Sequence, residues 1–398
     1  MGNSIVKTKS GTSYLLPFIL VTSLFFLWGF AHSFLDVLNK HFQLELHITK
    51  AYSAFIQLAV YGGYFIMALP AGMFIKRYGY RAGVILGLLL YGVGALMFIP
   101  GSYLVSFPFF LFSLFIIGCG LTCLETAANP YVTILGEKET ASSRLNLSQS
   151  FNGLGWIMGP LVGGLVVFTG SGGNIVLPYT IVGIVVILVA IVFARVPLPE
   201  IIDHTIPLET PVTQKKLWEY PHFVFGVIAL FFYVAAQTGV NSFFINYVTE
   251  AIPSISNRDA ALMLSIGGMG LFMSGRFLGS WLMKSIKDKL ILLVCSAMSA
   301  LSMVLVMLDL GWISVGALFA NYLFMSIMFP TIFSLSIRNL GILTPKASSI
   351  LIMSIVGGAI APVLMGLIGE VSMSRGFIVP LVCFFIIGLY SVYLNKKK

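Results

Sequence analysis

A carboxylate and a carboxamide one helical turn apart, Glu125 and Asn129, stand in the stretch LETAANPY, inside a long apolar run. An ionisable group at membrane depth costs about 2.5–3.5 kcal/mol, and a sequence tolerates it only where it faces a partner, water or a ligand. Glu125 is suited to accept hydrogen bonds from solute hydroxyls or to hold a proton; the alternative is a structural hydrogen bond between helices. Pro130, directly after Asn129, lacks an N–H and frees a carbonyl one turn back. A second acid, Asp36, sits late in the first apolar run, WGFAHSFLDVLNKHF, with His32 four residues before it on the same helical face. Desolvation disfavours the charged form of an acid. Asp36 is therefore a candidate proton-coupling group, with His32 tuning it or touching solute. The competing readings are an acid near the headgroups and a histidine that only packs.

Amides gather in two further runs. Gln149 and Asn152 are three apart in RLNLSQSFNGLG, and Gln237 and Asn241 are four apart in AAQTGVNSFFINY. Each amide offers donors and an acceptor, which suits a polyhydroxy solute. Helix–helix hydrogen bonding uses the same residue types. Trp28 could stack on a sugar ring, or pack, or anchor an interface. Arg276, in SGRFLGSWLMK between Gly275 and Gly279, reads as a snorkelling residue or a charge contact at an inner gate. Lys76 and Arg77, in AGMFIKRYGYR, mark a basic turn that fixes two helices and orients the chain.

The elements that must position these groups are membrane helices. The 398 residues are 58% hydrophobic and 9% charged, against about 25% charged in a soluble domain. Twelve runs are long enough to span, at roughly 15–38, 51–75, 82–100, 106–130, 146–169, 176–195, 222–248, 260–283, 289–308, 312–335, 347–369 and 375–394. They are continuously apolar, which excludes a strand barrel. The first is read as a retained helix rather than a signal peptide, because no small-residue cleavage site follows it. With the N-terminus inside, eighteen of the 23 Lys and Arg fall on the inner side and four outside, Arg276 being within a span. That asymmetry predicts an N-in/C-in topology. The net charge of +9 is scattered in short clusters between spans, so no nucleic-acid surface is expected. The polar connection 196–221 divides the chain into halves at 1–195 and 222–398. FFLW at Phe25 is echoed by FFYV at Phe231, and NGLGWIMGPLVGG at Asn152 by SIVGGAIAPVLMG at Ser354. Two six-helix halves related along the membrane normal are the arrangement of major facilitator transporters. The four cysteines lie in apolar stretches and read as packing. No phosphate-binding loop, dinucleotide fingerprint or metal-ligand spacing is present. An enzyme, a cofactor, a metal site and ATP-driven pumping are thus not expected.

The strings FFLWGFAHSFLDVLNKHF, AGMFIKRYGYR, LETAANPYVTILG, RLNLSQSFNGLG, FFYVAAQTGVNSFFINY and FPTIFSLSIRNLG occur in this order over nearly the whole chain. Together they resemble the fucose–galactose–glucose:proton symporter family of the major facilitator superfamily. The resemblance implies that Asp36 is the proton-coupling site, that Glu125 binds sugar and assists protonation, and that Gln149 and Asn152 are sugar ligands. One departure is His32-Ser33, at cavity-facing positions where the fucose-transporting branch has two adjacent amides. The expected activity is secondary active import of a monosaccharide, such as fucose, glucose or galactose, driven by protons, with sodium the alternative ion. The expected setting is the bacterial inner membrane, as a multi-pass monomer in the lipid bilayer. The rival readings are a proton-antiport exporter of drugs or metabolites, against which the amides of the two runs argue, and a sugar sensor without net transport.

Overall fold

The computed structural model describes residues 6, 13–137, 141–168, 175–196, 216–283, 285–340 and 343–396. Most of the expected linker, residues 197–215, lies outside the described residues, as do Lys7, Lys9, Lys138, Lys215, Lys284 and the last two lysines of the orientation count.

In hydrocarbon every backbone N–H and C=O must find a partner within its own segment, so apolar runs of this length fold as helices. Eleven helices among the described residues are long and apolar enough to cross a bilayer. They are α1 (Leu15–Glu45), α2 (Lys50–Leu104), α3 (Phe107–Ile134), α4 (Leu147–Val167), α5 (Val176–Arg195), α6 (Pro221–Ala251), α7 (Asn257–Gly279), α8 (Asp288–Met307), α9 (Trp312–Ile337), α10 (Ile350–Ile368) and α11 (Met373–Lys396).

The difference between eleven helices and twelve expected spans lies in α2. Its 55 residues would reach about 80 Å if straight, more than twice the ~30 Å hydrocarbon core. Gly79 interrupts it with φ 87° and ψ 169°, a backbone state open to glycine and closed to most side chains. The chain doubles back there. A Cβ on Gly63 would lie 2.7 Å from the carbonyl oxygen of Phe115, and one on Gly94 would lie 2.8 Å from that of Ser113. Positions nearly equidistant from Gly79 thus meet the same level of α3, and α2 crosses twice. Lys76 and Arg77 are exposed at this turn, with the Arg77 guanidinium 5.3 Å from the ring centre of Tyr78.

Arginines close two helix ends, where the last four carbonyls lack partners within the helix. Arg81 donates to the carbonyls of Phe193 (3.0 Å) and Ala194 (2.7 Å) at the end of α5. Arg144, fully buried, donates to Val132 (3.0 Å), Thr133 (2.6 Å) and Glu137 (3.1 Å) after α3. Small residues let other helices approach closely. A Cβ on Gly275 or Gly279 of α7 would collide with Ser326 or Ile327 of α9 at 2.4 and 2.2 Å. α3 and α6 are the most enclosed, with 61% of their apolar windows buried, whereas α5 and α7 bury 33% and present the rest outward.

The chain packs as two compact units. One comprises Met1–Leu35 with Gly62–Leu208; the other comprises Asp36–Tyr61 with Glu209–Lys398. In the second unit the end of α1 and the start of α2 are held against α6, α10 and the residues that follow α10. Lys50 pairs with Glu250 at 2.7 Å and its Nζ donates to the Gly369 carbonyl at 2.8 Å. The Glu370 carboxylate accepts from the backbone N–H groups of Lys50 and Ala51, each at 3.3 Å.

Candidate functional site

The polar residues of the apolar runs form two clusters, one in each unit. In the first unit Glu125 stands on α3 with Asn129 one turn on. The Asn129 side chain donates to the Glu125 main-chain carbonyl at 3.0 Å, and Gln149 of α4 donates to the Asn129 side-chain oxygen at 3.3 Å. The side chain of Glu125 lies within reach of the Tyr64 hydroxyl on α2. That hydroxyl also lies 2.9 Å from Nε2 of His32 on α1. The His32 ring in turn stacks on Trp156 of α4, with centroids 6.0 Å apart and planes 9° from parallel. Four spans therefore contribute to one connected group: His32, Tyr64, Glu125, Asn129, Gln149 and Trp156.

Close approach of α1 and α4 makes this arrangement possible. A Cβ on Gly155 would lie 2.4 Å from the Phe26 carbonyl oxygen and 2.6 Å from the Phe30 nitrogen. Asn152 uses the same contact: it is buried, and its amide donates to the Phe25 carbonyl at 3.1 Å. Ser33 is fully buried and donates to the carbonyls of Phe30 (3.2 Å) and Gly155 (3.1 Å). Thr22 and Ser148 share a hydrogen bond of 2.8 Å between the same two helices. Trp28 is buried with its ring tilted on Phe25, centroids 4.2 Å apart. Of the residues singled out in the sequence, Asn152, Ser33 and Trp28 have packing partners here, while His32, Glu125, Asn129 and Gln149 meet in one network.

In the second unit Asp36 is 2% exposed. Its Oδ1 accepts from Gln57 at 3.3 Å, and the same Gln57 nitrogen lies 3.0 Å from the Ser242 hydroxyl of α6. Asn39, one turn below Asp36, donates to the Ser242 carbonyl at 2.6 Å. Several oxygens of this unit are buried without a hydrogen-bond partner: Oδ2 of Asp36, Oδ1 of Asn39, Asn241 and Asn321, and the hydroxyl of Tyr322. Tyr322 is in electrostatic reach of Asp36. Gln237 is half-buried. Arg276 donates to the Ser326 carbonyl at 3.4 Å and lies 4.8 Å from the ring centre of Phe272.

Tyr64, Trp156, Gln57, Asn321 and Tyr322 are members that the sequence reading did not single out. Gln57 carried a usable signal, a lone amide in the apolar run AFIQLAV. The aromatic members carried none, since 16 tyrosines and 33 phenylalanines make aromatic residues commonplace in this chain. No cluster of His, Cys, Asp and Glu among the described residues has the makings of a metal site.

Helical bundles with buried acids and amides on facing spans define a class of membrane carrier. The chain belongs to the Major Facilitator Superfamily, whose sequence pattern matches residues 18–354. It is 34% identical over 401 residues to a glucose/galactose transporter of Brucella abortus, covering 98% of this chain and 97% of that one. It is 34% identical over 438 residues to the L-fucose-proton symporter of Escherichia coli, covering 100% and 99%. A crystal structure of the E. coli fucose:proton symporter, 33% identical, superposes with a TM-score of 0.68 over 96% of this chain and 99% of that one. These full-length likenesses put it in the fucose–galactose–glucose:proton symporter branch.

Proposed function

We propose that this chain is a secondary active importer that carries a monosaccharide together with a proton across a bacterial inner membrane by alternating access. The observation that carries this reading is the Glu125 cluster. A part-buried carboxylate near a phenol, with the amides of Asn129 and Gln149 beside it, presents the mixed donors and acceptors that a ring of hydroxyls requires. Its relatives bear the names of glucose, galactose and fucose transporters.

Asp36 is the proposed coupling acid. A proton on Oδ2 would supply the donor that this oxygen lacks, and removal of the proton would leave a charge with only part of its hydrogen-bonding capacity met. The protonated, sugar-loaded form and the empty form cross readily, whereas singly loaded forms do not; that difference is all that coupling requires. Gln237 and Asn241 are proposed to contact solute from the second half. Arg276, Lys76 and Arg77 are proposed to hold and orient inner-side turns. The excess of Lys and Arg on one side supports N-in/C-in, with halves at 1–195 and 222–398, and the working unit is proposed to be a monomer with no cofactor.

The test is uptake of radiolabelled D-glucose, D-galactose and L-fucose into proteoliposomes, with and without an inward proton gradient, with a sodium gradient as control. We expect one or more sugars to accumulate only with the proton gradient. Accumulation driven by sodium alone would reassign the ion. Efflux of apolar drugs with no sugar uptake would replace the reading with the exporter.

A further inference from the structure

One face of α6 carries a polar residue every four positions: Thr238, Ser242, Asn246 and Glu250. Residues four apart line one side of a helix. Each of the four takes a partner from residues 36–61, the end of α1, the turn after it and the start of α2. Thr238 donates to the Tyr61 hydroxyl at 3.2 Å, and Gln57 donates to the Ser242 hydroxyl at 3.0 Å. Asn246 donates to the Gln43 side-chain oxygen at 2.6 Å, and Glu250 pairs with Lys50 at 2.7 Å. Gln57 stands apart from the other partners, because the same nitrogen, Nε2, also donates to Oδ1 of Asp36 at 3.3 Å. A carboxamide nitrogen carries two hydrogens, so both bonds form at once. Gln57, Asp36 and Ser242 are all buried, and bulk water does not compete for these bonds. The acid of α1 and the polar face of α6 are thus joined through one side chain of α2. Asn39 holds α1 to the same residue of α6, donating to the Ser242 carbonyl at 2.6 Å.

We infer that Gln57 is a positioning residue for proton coupling: it ties Asp36 to Ser242, and the charge on Asp36 sets how its amide is shared between them. The inference rests on the coupling role proposed above for Asp36. Oδ1 accepts from Gln57 whether or not a proton sits on Oδ2. Against an ionised carboxylate that bond is charge-assisted and roughly twice as strong as against a neutral acid. Proton uptake at Oδ2 therefore weakens the pull of Asp36 on Gln57 and shifts the amide toward Ser242, and proton loss draws it back. The proton stays on Asp36 throughout, and no covalent bond between heavy atoms changes. The contact of α2 with α6 thereby depends on the state of an acid on α1. A glutamine that only glued the helices together would hold them equally in both states of the acid.

Proteoliposomes of the full-length protein test this with radiolabelled D-glucose, D-galactose and L-fucose. Two quantities are read for each variant: exchange between equal pools of sugar, which needs no coupling, and the accumulation ratio under an inward proton gradient. Gln57→Met keeps the length of the side chain and removes its donor. We expect its exchange to stay near the wild-type rate while accumulation falls about tenfold, a loss within the range that coupling between two sites spans. Ser242→Ala leaves Gln57 on Asp36 but removes its partner on α6, and should give the same split. The double variant should be no worse than either single one, since both remove the same link. Wild-type accumulation in Gln57→Met or in Ser242→Ala, or exchange and accumulation falling together in either, would overturn the inference. So would losses that multiply in the double variant. Should Gln57→Met not fold, Ser242→Ala decides alone. Asp36→Asn separates this inference from the reading beneath it. If Asp36→Asn still accumulates sugar, the coupling reading fails and the inference with it; if Asp36→Asn does not and Gln57→Met does, only the role of Gln57 fails.

Discussion

The two polar clusters differ in how completely their atoms are satisfied. Among the described residues, every buried side-chain oxygen or nitrogen without a hydrogen-bond partner lies in the second unit, around and beyond Asp36, and none lies in the unit that holds Glu125. Buried polar groups are paired as a rule, and each exception asks for an explanation. Glu125 stands part-exposed beside the linked amides of Asn129 and Gln149, which suits recognition of a solute of fixed shape. Asp36 has one buried oxygen without a hydrogen-bond partner, which suits the proposed uptake of a proton there. This difference supports the proposed division of roles, with solute recognition at Glu125 and proton coupling at Asp36.

Removing the idle carboxylate should have the largest effect. Asp36→Asn is expected to abolish uphill accumulation in proteoliposomes while sugar exchange between equal pools continues. A variant that still concentrates sugar against its gradient would end the coupling assignment. Glu125→Gln comes next. Hydrogen bonds to a charged group contribute about 1.5–3 kcal/mol, which corresponds to a roughly ten- to 150-fold rise in Kd. Calorimetric titration with D-galactose and L-fucose measures this, and an unchanged Kd removes Glu125 from the binding site.

The sequence made the two acids legible and left their surroundings largely hidden. A carboxylate in an apolar run announces itself by its energetic cost, so Asp36 and Glu125 could be found without coordinates. The spans were legible by the same physics. Their number differed only because the turn at Gly79 is tight enough to merge two spans into one continuous helical element. Gln149 and Asn152 look alike in sequence, as amides three apart on one face. One joins Asn129 and the other the Phe25 carbonyl, and only the packing of α4 on α1 separates them. Tyr64 was invisible because its contribution lies in where a hydroxyl points, on a residue type that packs elsewhere in the chain. The packing of Asp36–Tyr61 with the second unit was equally hidden: it depends on contacts such as Lys50 with Glu250, far apart in sequence.

The geometry that sets the first cluster can be broken without touching a polar atom. Gly155→Ala would place a Cβ 2.4 Å from the Phe26 carbonyl oxygen and 2.6 Å from the Phe30 nitrogen, both backbone atoms that cannot turn away. Overpacking of this kind costs about 1–3 kcal/mol. We expect a clearly lowered thermal unfolding midpoint in detergent, together with weakened sugar binding, as α4 carries Gln149 away from Asn129. Gly62→Ala is the matched control, since nothing lies within 4 Å of its added Cβ. Equal midpoints for the two variants would show that α1 and α4 are not packed as described.

The smallest effect tests the contrast between paired and unpaired atoms most cleanly. Tyr233 and Tyr322 are both fully buried in the second unit. The hydroxyl of Tyr233 donates to the Met325 carbonyl at 3.0 Å, whereas that of Tyr322 has no partner. Removing a buried hydroxyl that is bonded costs about 1 kcal/mol and strands the carbonyl it served; removing one that is not bonded relieves a desolvated dipole. Tyr233→Phe should therefore lower the unfolding midpoint, and Tyr322→Phe should leave it unchanged or raise it. If Tyr322→Phe is instead destabilised as much as Tyr233→Phe, then its hydroxyl has a partner in the working protein. A proton shared with Asp36 or a buried water is the candidate, and repeating the measurement in Asp36→Asn separates the two. A penalty that vanishes in that background belongs to the Asp36 proton, and one that persists belongs to water. Either outcome locates what fills the idle oxygens of the second cluster.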